Sequence, residues 1–180
     1  MRGPGECFTR WLAKRAAAAV AAASIVLLAT WAAPAYASNP SGTFKWVSVK
    51  SGRCTDADLN TIGGNGTRVQ LWGCNGQSQQ NWISSGNGMI KNSRSRKCLD
   101  ADLNTIGGNG TKVQLWDCNG SRQQQWAISP GASSGSHRII SVYSGRCVDA
   151  DLNTIGGDGT RVQLWDCNSQ PQQDWRTLYF

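Results

Sequence analysis

One unit occurs three times in this chain, and that repetition limits the possible folds more than any other feature. Aligned on cysteine, Cys54–Trp72, Cys98–Trp116 and Cys147–Trp165 all read Cys-x-Asp-Ala-Asp-Leu-Asn-Thr-Ile-Gly-Gly-x-Gly-Thr-x-Val-Gln-Leu-Trp, at offsets of 44 and 49 residues. Each copy adds a second cysteine (Cys74, Cys118, Cys167) and then Gln-x-Trp: Gln80-Asn81-Trp82, Gln124-Gln125-Trp126 and Gln173-Asp174-Trp175. The repeats run roughly over 42–86, 87–130 and 137–180, and the array is expected to be complete at three. A unit this short cannot bury its apolar face alone, so the copies must pack on one another.

Short strands suit the pattern. Phe44–Val49, Arg68–Trp72 and Asn81–Ile83 alternate apolar with polar residues at the period of a half-buried strand. Asn65-Gly66, Asn109-Gly110 and Asp158-Gly159 read as hairpin turns, because Asn or Asp before Gly tolerates positive φ. No segment after residue 37 keeps a helical apolar period over three turns. About four short strands per repeat predict an all-β body closed on itself with pseudo-three-fold symmetry, since closure removes exposed sheet edges.

Residues 1–37 read as a secretory signal peptide. Arg2, Arg10, Lys14 and Arg15 precede an alanine-rich apolar run from Ala16 to Ala33, and Ala35-Tyr36-Ala37 supplies the small-x-small cleavage pattern. A retained membrane anchor is the competing reading; a run of mostly Ala, ending in a cleavage pattern without a basic flank, opposes it. Cleavage leaves 38–180 as one domain-sized, secreted unit without a membrane attachment. Cys7 departs with the leader, and the remaining six cysteines fit a disulfide framework in an oxidising compartment. Six cysteines allow fifteen pairings. Triplication singles out Cys54–Cys74, Cys98–Cys118 and Cys147–Cys167, because each unit then solves the same local problem. Each bridge would contribute roughly 3 kcal/mol. A zinc site is excluded by the lack of Cys-x-x-Cys and by a single histidine, His137.

Charge excludes another class. Residues 38–180 hold fourteen Lys and Arg against ten Asp and no Glu, a net charge of +4, with Arg94, Arg96 and Lys97 as the one cluster. Nucleic-acid binders concentrate cations on a face or stripe, so nucleic acid is not an expected partner.

Three copies of Cys-x-Asp, Val-Gln-Leu-Trp-x-Cys and Gln-x-Trp, in register with three cysteine pairs, resemble the ricin B-type β-trefoil lectins. That group includes the family 13 carbohydrate-binding modules found on bacterial xylanases, arabinosidases and galactosidases. The resemblance covers residues 42–180 and implies a β-trefoil whose three subdomains each carry a shallow pocket, for galactose-like or xylose-containing glycans. By position it makes Asp56, Asp100 and Asp149 the sugar-holding aspartates. Trp72, Trp116 and Trp165 become the stacking aromatics, and Gln70, Gln114 and Gln163 their polar neighbours. Before the motif Gln, the best-known sugar-binding repeats have an Asn that hydrogen-bonds the sugar. Here Gln79, Gln123 and Gln172 keep the amide and lengthen its reach, which bears on the identity of the sugar.

The residues taken alone point the same way. In Val69-Gln70-Leu71-Trp72 the two aliphatics face one side, and Gln70 and Trp72 together face the other. An amide beside an exposed indole offers a pyranose a flat apolar surface and a partner for its hydroxyls. Asp56 adds a charged acceptor able to bridge two adjacent hydroxyls. The plainer alternative is that each Trp only covers a barrel flank. Trp82, Trp126 and Trp175 lie in apolar strands near chain reversals and are expected in the core, with Gln80, Gln124 and Gln173 satisfying buried backbone groups.

Other chemistries fit less well. An EF-hand loop counted from Asp56 needs Gly and Glu where Thr61 and Thr67 stand. The Gly-Gly-x-Gly runs recur far too rarely for a calcium-binding β-roll. Neither metal nor cofactor is expected, and Asp58, Asp102 and Asp151, with Asn60, Asn104 and Asn153, read as caps of turns beside the pocket. Asn65, Asn109 and Asn119 lie in glycosylation sequons. A small glycoside hydrolase is disfavoured, because catalysis needs one carboxylate pair whereas linked weak binding sites gain avidity from three. The single His also removes any triad. A protein-interaction trefoil, such as an inhibitor or toxin-like subunit, usually specialises one loop and lets the other copies diverge. The expectation is a secreted, monomeric lectin module, not an enzyme, whose partners are polysaccharide or glycoconjugate glycans.

Overall fold

The computed structural model describes residues 41–180; the signal-peptide reading, its cleavage after Ala37 and residues 38–40 fall outside the described residues. Twelve strands occupy the described chain. The first repeat gives β1 (Ser41–Ser48), β2 (Cys54–Ala57), β3 (Thr67–Trp72) and β4 (Trp82–Ser85). The second gives β5 (Ile90–Asn92), β6 (Cys98–Ala101), β7 (Thr111–Trp116) and β8 (Trp126–Pro130). The third gives β9 (His137–Ser141), β10 (Cys147–Ala150), β11 (Thr160–Trp165) and β12 (Trp175–Tyr179). Three short 3-10 turns, Ser78–Gln80, Arg122–Gln124 and Pro171–Gln173, are the only helical segments described. This is the all-β trefoil the repeats imply.

Closure has two layers. Antiparallel pairing runs β5–β4–β1–β12–β9–β8, and the amide of Trp126 donates to Gly88 O at 2.9 Å to join the ends of that ring. The hairpins β2–β3, β6–β7 and β10–β11 meet at the pseudo-three-fold axis, where β3, β7 and β11 pair with one another. The register repeats around the axis: Thr67 opposite Leu115, Thr111 opposite Leu164, Thr160 opposite Leu71. In each buried Val-Gln-Leu run the two aliphatics face the core, and the Gln between them lies against the aspartate opposite it in the ladder.

The core follows from strand alternation. Trp82, Trp126 and Trp175 open the strand after each 3-10 turn and are 0–1% exposed. They pack with Val69, Val113 and Val162 and with Leu71, Leu115 and Leu164 in one apolar cluster. Each buried indole hides roughly 150–250 Å² of surface, so the three dominate the core. Disulfides Cys54–Cys74, Cys98–Cys118 and Cys147–Cys167 staple each repeat, all with Cα–Cα distances of 5.1 Å.

The turn reading needs correction. The β2–β3 connection is not a tight hairpin but residues 58–66, and in each Asn-Gly or Asp-Gly pair only the glycine (Gly66, Gly110, Gly159) takes positive φ, at +85° to +86°. Asn65, Asn109 and Asp158 keep negative φ and use their side chains elsewhere. The long loop is held from inside: Thr67 Oγ1 donates to Thr61 O and to Gly64 O (2.9 Å), and Thr111 and Thr160 repeat the arrangement.

Candidate functional site

Each hairpin carries a cleft on its outer side. In the first, Asp56 pairs with Gln70 across the ladder, two positions from the Cys54–Trp72 pair. The carboxylate of Asp56 is a hub: Oδ1 accepts from Gln70 Nε2 (3.3 Å), and Oδ2 accepts from Gln79 (3.3 Å) and Gln80 (3.0 Å). The 3-10 turn Ser78–Gln80 delivers the last two amides beneath the hairpin. Gln80 Nε2 also donates to Gly73 O (2.9 Å), and its Oε1 accepts from the Asn75 amide (3.0 Å), so one side chain ties turn, strand end and carboxylate together.

The other repeats copy the hub. Asp100 accepts from Gln114 (3.1 Å) and Gln124 (3.0 Å), and Asp149 from Gln163 (3.2 Å) and Gln173 (3.0 Å). Gln123 and Gln172 lie buried beside them. Burial raises the carboxyl pKa of Asp56, Asp100 and Asp149 above the ordinary value, the glutamine amides oppose the shift, and the neighbouring Asp58, Asp102 or Asp151 adds to it. These carboxylates are thus costly to ionise and held ready by neutral donors rather than by a cation.

Around each hub the lining is the same. The first cleft, about 270 Å³, is walled by Asp56, Asp58, Leu59, Asn60, Gln70, Trp72, Asn75 and Gln79. The second, also about 270 Å³, has Asp100, Asp102, Leu103, Asn104, Gln114, Trp116, Asn119 and Gln123. The third, about 440 Å³, holds Asp149, Asp151, Leu152, Asn153, Gln163, Trp165, Asn168 and Gln172, and reaches further to Gly110 and Arg161. Alternation predicts Gln70 and Trp72 side by side on the outer face. The indoles are indeed 39–40% exposed, but Gln70, Gln114 and Gln163 are 3–5% exposed and form the floor. The hub carboxylate and the glycine turn of the preceding repeat cover them.

Two lining positions escaped the sequence reading. Leu59, Leu103 and Leu152 are 50–56% exposed at the cleft mouth, an uncommon place for three equivalent leucines. Asn75, Asn119 and Asn168 follow the second cysteine, and each Oδ1 caps the amide two residues on. Their recurrence after every second Cys was the available signal. Asp58 Oδ1 accepts from the Asn60 amide (3.1 Å) and Nδ2 (3.0 Å), placing this pair in a turn and in the cleft wall together.

The clefts are composite. A Cβ added to Gly66 would lie 3.8 Å from Gln114 Oε1, one on Gly110 3.9 Å from Gln163 Oε1, and one on Gly159 3.9 Å from Gln70 Oε1. Each floor therefore abuts the turn of the preceding repeat, and the third repeat precedes the first. Beside each turn lies a latch. Asn65 Oδ1 accepts from the Asp117 amide (2.8 Å) and Lys97 Nζ (2.9 Å), while its Nδ2 donates to Asp117 Oδ2 (2.8 Å). Asn109 does the same with Asp166 and Arg146. Asp158 Oδ1 accepts from the Gly73 amide (2.7 Å) and pairs with Arg53.

Among the described residues no cluster of His, Cys, Asp or Glu is placed to hold a metal ion, and no helix is long and apolar enough to cross a membrane. The ricin-type beta-trefoil lectin domain matches residues 41–175. No curated protein matches the chain in sequence. Among solved structures, the designed three-fold symmetric protein ThreeFoil superposes with a TM-score of 0.70 at 24% identity, covering 78% of this chain and all of its own. The hemolytic lectin CEL-III gives 0.65 at 23% identity over 79% of this chain and 32% of its own. A ricin B-like lectin of Macrolepiota procera, solved with lactose, gives 0.65 at 20% identity over 77% and 96%. At these identities the likeness establishes the fold.

Proposed function

The chain belongs to the ricin-type β-trefoil lectin domain family, and from that premise we propose that it is a secreted, non-catalytic carbohydrate-binding module with three sugar sites. Its ligands are the glycans of polysaccharides or glycoconjugates. One observation carries the reading: in all three repeats a buried carboxylate, held by neutral amides, sits on the floor of an open cleft beside a half-exposed indole. A pyranose lays its C–H face on Trp72, Trp116 or Trp165, and two neighbouring hydroxyls donate to Asp56, Asp100 or Asp149. Gln70, Gln79 and their counterparts fix the carboxylate so that little ordering remains at binding. A small ligand in a shallow cleft binds weakly, and three sites on one body raise retention on repetitive ligands.

The test is retention of the purified protein on insoluble polysaccharides and a glycan array, beside a Trp72/Trp116/Trp165→Ala variant. Retention on galactan-, arabinan- or xylan-type ligands, lost in a variant with unchanged thermal unfolding, is the expected outcome. Retention that survives the three substitutions would make these tryptophans scaffold and sink the reading.

A further inference from the structure

We propose that the third cleft contains a second subsite, built on the Arg161 guanidinium, for the carboxylate of a uronic acid adjoining the sugar at Trp165. This rests on the carbohydrate-binding reading and deepens it for one site. The third cleft is about 440 Å³ against about 270 Å³ for the other two, and the residues that extend its lining are Arg161 and Gly110. Arg161, Gln163 and Trp165 alternate along β11, so they share one face. From Arg161 to Trp165 the strand spans roughly 13 Å, longer than one pyranose ring.

The cation at this position bonds its own floor in the first repeat and the preceding repeat's glycine carbonyl in the other two, and only in the third does it line the cleft. Arg68 turns onto its own floor, donating to Gln70 Oε1 at 2.5 Å with Asp58 at 3.9 Å. Lys112 donates to Gly66 O at 2.6 Å and does not line its cleft. Arg161 donates to Gly110 O, and among the described residues no carboxylate lies within ion-pairing distance of it. A guanidinium carries five N–H donors in a planar fork, so one bond to Gly110 leaves enough to grip a carboxylate through both oxygens. Asp149 and Asp151 line the same cleft. The cleft thus has acceptors for the hydroxyls of a neutral unit and, at Arg161, donors for an acid. An acidic unit next to a neutral one matches that polarity, and a wholly neutral chain leaves the fork unused.

The experiment is calorimetry of the purified protein with xylo-oligosaccharides bearing a glucuronic acid branch and with arabinogalactan oligosaccharides ending in glucuronic acid. Each is compared with the same oligosaccharide after reduction of the carboxyl to the alcohol. The acid form of at least one pair is expected to bind on the order of tenfold more tightly. In Arg161→Gln the acid and reduced forms are expected to bind alike, while Arg68→Gln leaves the preference intact. Arg161→Lys, which keeps the charge and loses the fork, should retain only part of the preference. Equal affinity for acid and reduced forms, or a preference that persists in Arg161→Gln, overturns the subsite and leaves the sugar-binding reading standing. Binding of neither form, with no effect of the three Trp→Ala substitutions on retention, overturns both.

Discussion

The first repeat and its two successors carry the same nineteen-residue pattern, yet they differ in core, cleft and seam. In the core, Trp46 stands where the later repeats have Ile90 and Ile139. It stacks on Trp82 with ring centroids 6.3 Å apart, and neither indole N–H finds a partner. Trp126 and Trp175 instead donate to Leu99 O (3.0 Å) and Val148 O (3.1 Å). In the cleft, Arg68 donates to Gln70 Oε1 on its own floor, whereas Lys112 and Arg161 donate to the glycine carbonyl of the preceding repeat. At the seam, the first repeat offers Gly73 where the others offer Asp117 and Asp166, and the third repeat answers with Asp158 in place of Asn. Each seam keeps one carboxylate and one cation, so the charge has moved across the seam without being lost. The lesson is that a repeat tolerates change when the change is answered by its neighbour in space.

The largest effects should come from the core. Trp126→Ala or Trp82→Ala should each cost about 3–5 kcal/mol by chemical denaturation, through lost burial and the cavity left behind. Phenylalanine separates the two: Trp126→Phe strands Leu99 O, whereas Trp82→Phe removes an orphaned donor. The former should therefore cost about 1–2 kcal/mol more. Equal costs would mean that the unpartnered indole of the first repeat is of no energetic consequence.

The clefts come next. Asp56 and Asp100 are each held by three glutamines, and the first floor differs in the bond from Arg68 to Gln70. With two of the three exposed tryptophans changed to Ala, a protein keeping only the first cleft should bind a common monosaccharide within about threefold of one keeping only the second. Titration of the two variants decides it; a gap of about tenfold or more would show that the Arg68 bond changes what the floor offers a sugar.

Smaller still is the seam. Asp158→Asn removes an exposed ion pair and should cost about 0.2–1 kcal/mol. Adding Gly73→Asp rebuilds the form of the other seams, and a Cβ there meets Arg53 and Asp158 at 3.7 Å, an ordinary contact. The double variant should recover the loss in a thermal melt; a further drop would mean that the seams are not interchangeable.

A test by pH uses His137, which packs against Trp46 with centroids 6.4 Å apart and shares a hydrogen bond with Thr177. Burial lowers its pKa to about 4 despite the opposing charge of Asp174. The unfolded chain then binds more protons between pH 6.5 and about 4, so this group's contribution is intact above 6.5 and is lost as the pH falls towards 4. His137→Gln should flatten the melting temperature over that window, and an unchanged slope would refute the assignment.

The fold was legible because repetition, strand alternation and turn residues all lie within one unit. The gathering of Asp56 with Trp72 was legible for the same reason, since both belong to one hairpin. What the chain concealed lies between units. The roles of Asn65, Asn109 and Asp158 depend on β3, β7 and β11 meeting at the axis, and no local pattern records that a turn in one repeat faces the next. Gln70 stands on the expected side with Trp72, and only its burial was out of reach, because the turn at Gly159 that closes over it belongs to another repeat. The divergence of Arg68, Lys112 and Arg161 was likewise out of reach, being a matter of which carbonyl or amide each side chain happens to find.

The head-to-tail seams carry a consequence for assembly. Every repeat bears one surface that closes its neighbour's cleft and another that is closed in turn, and three such steps return to the start. Such heterologous contacts form a ring whether or not the units are covalently joined. A lone unit of some 44 residues presents both of those surfaces, so the contact that finishes a cleft is one that any two copies can make with each other.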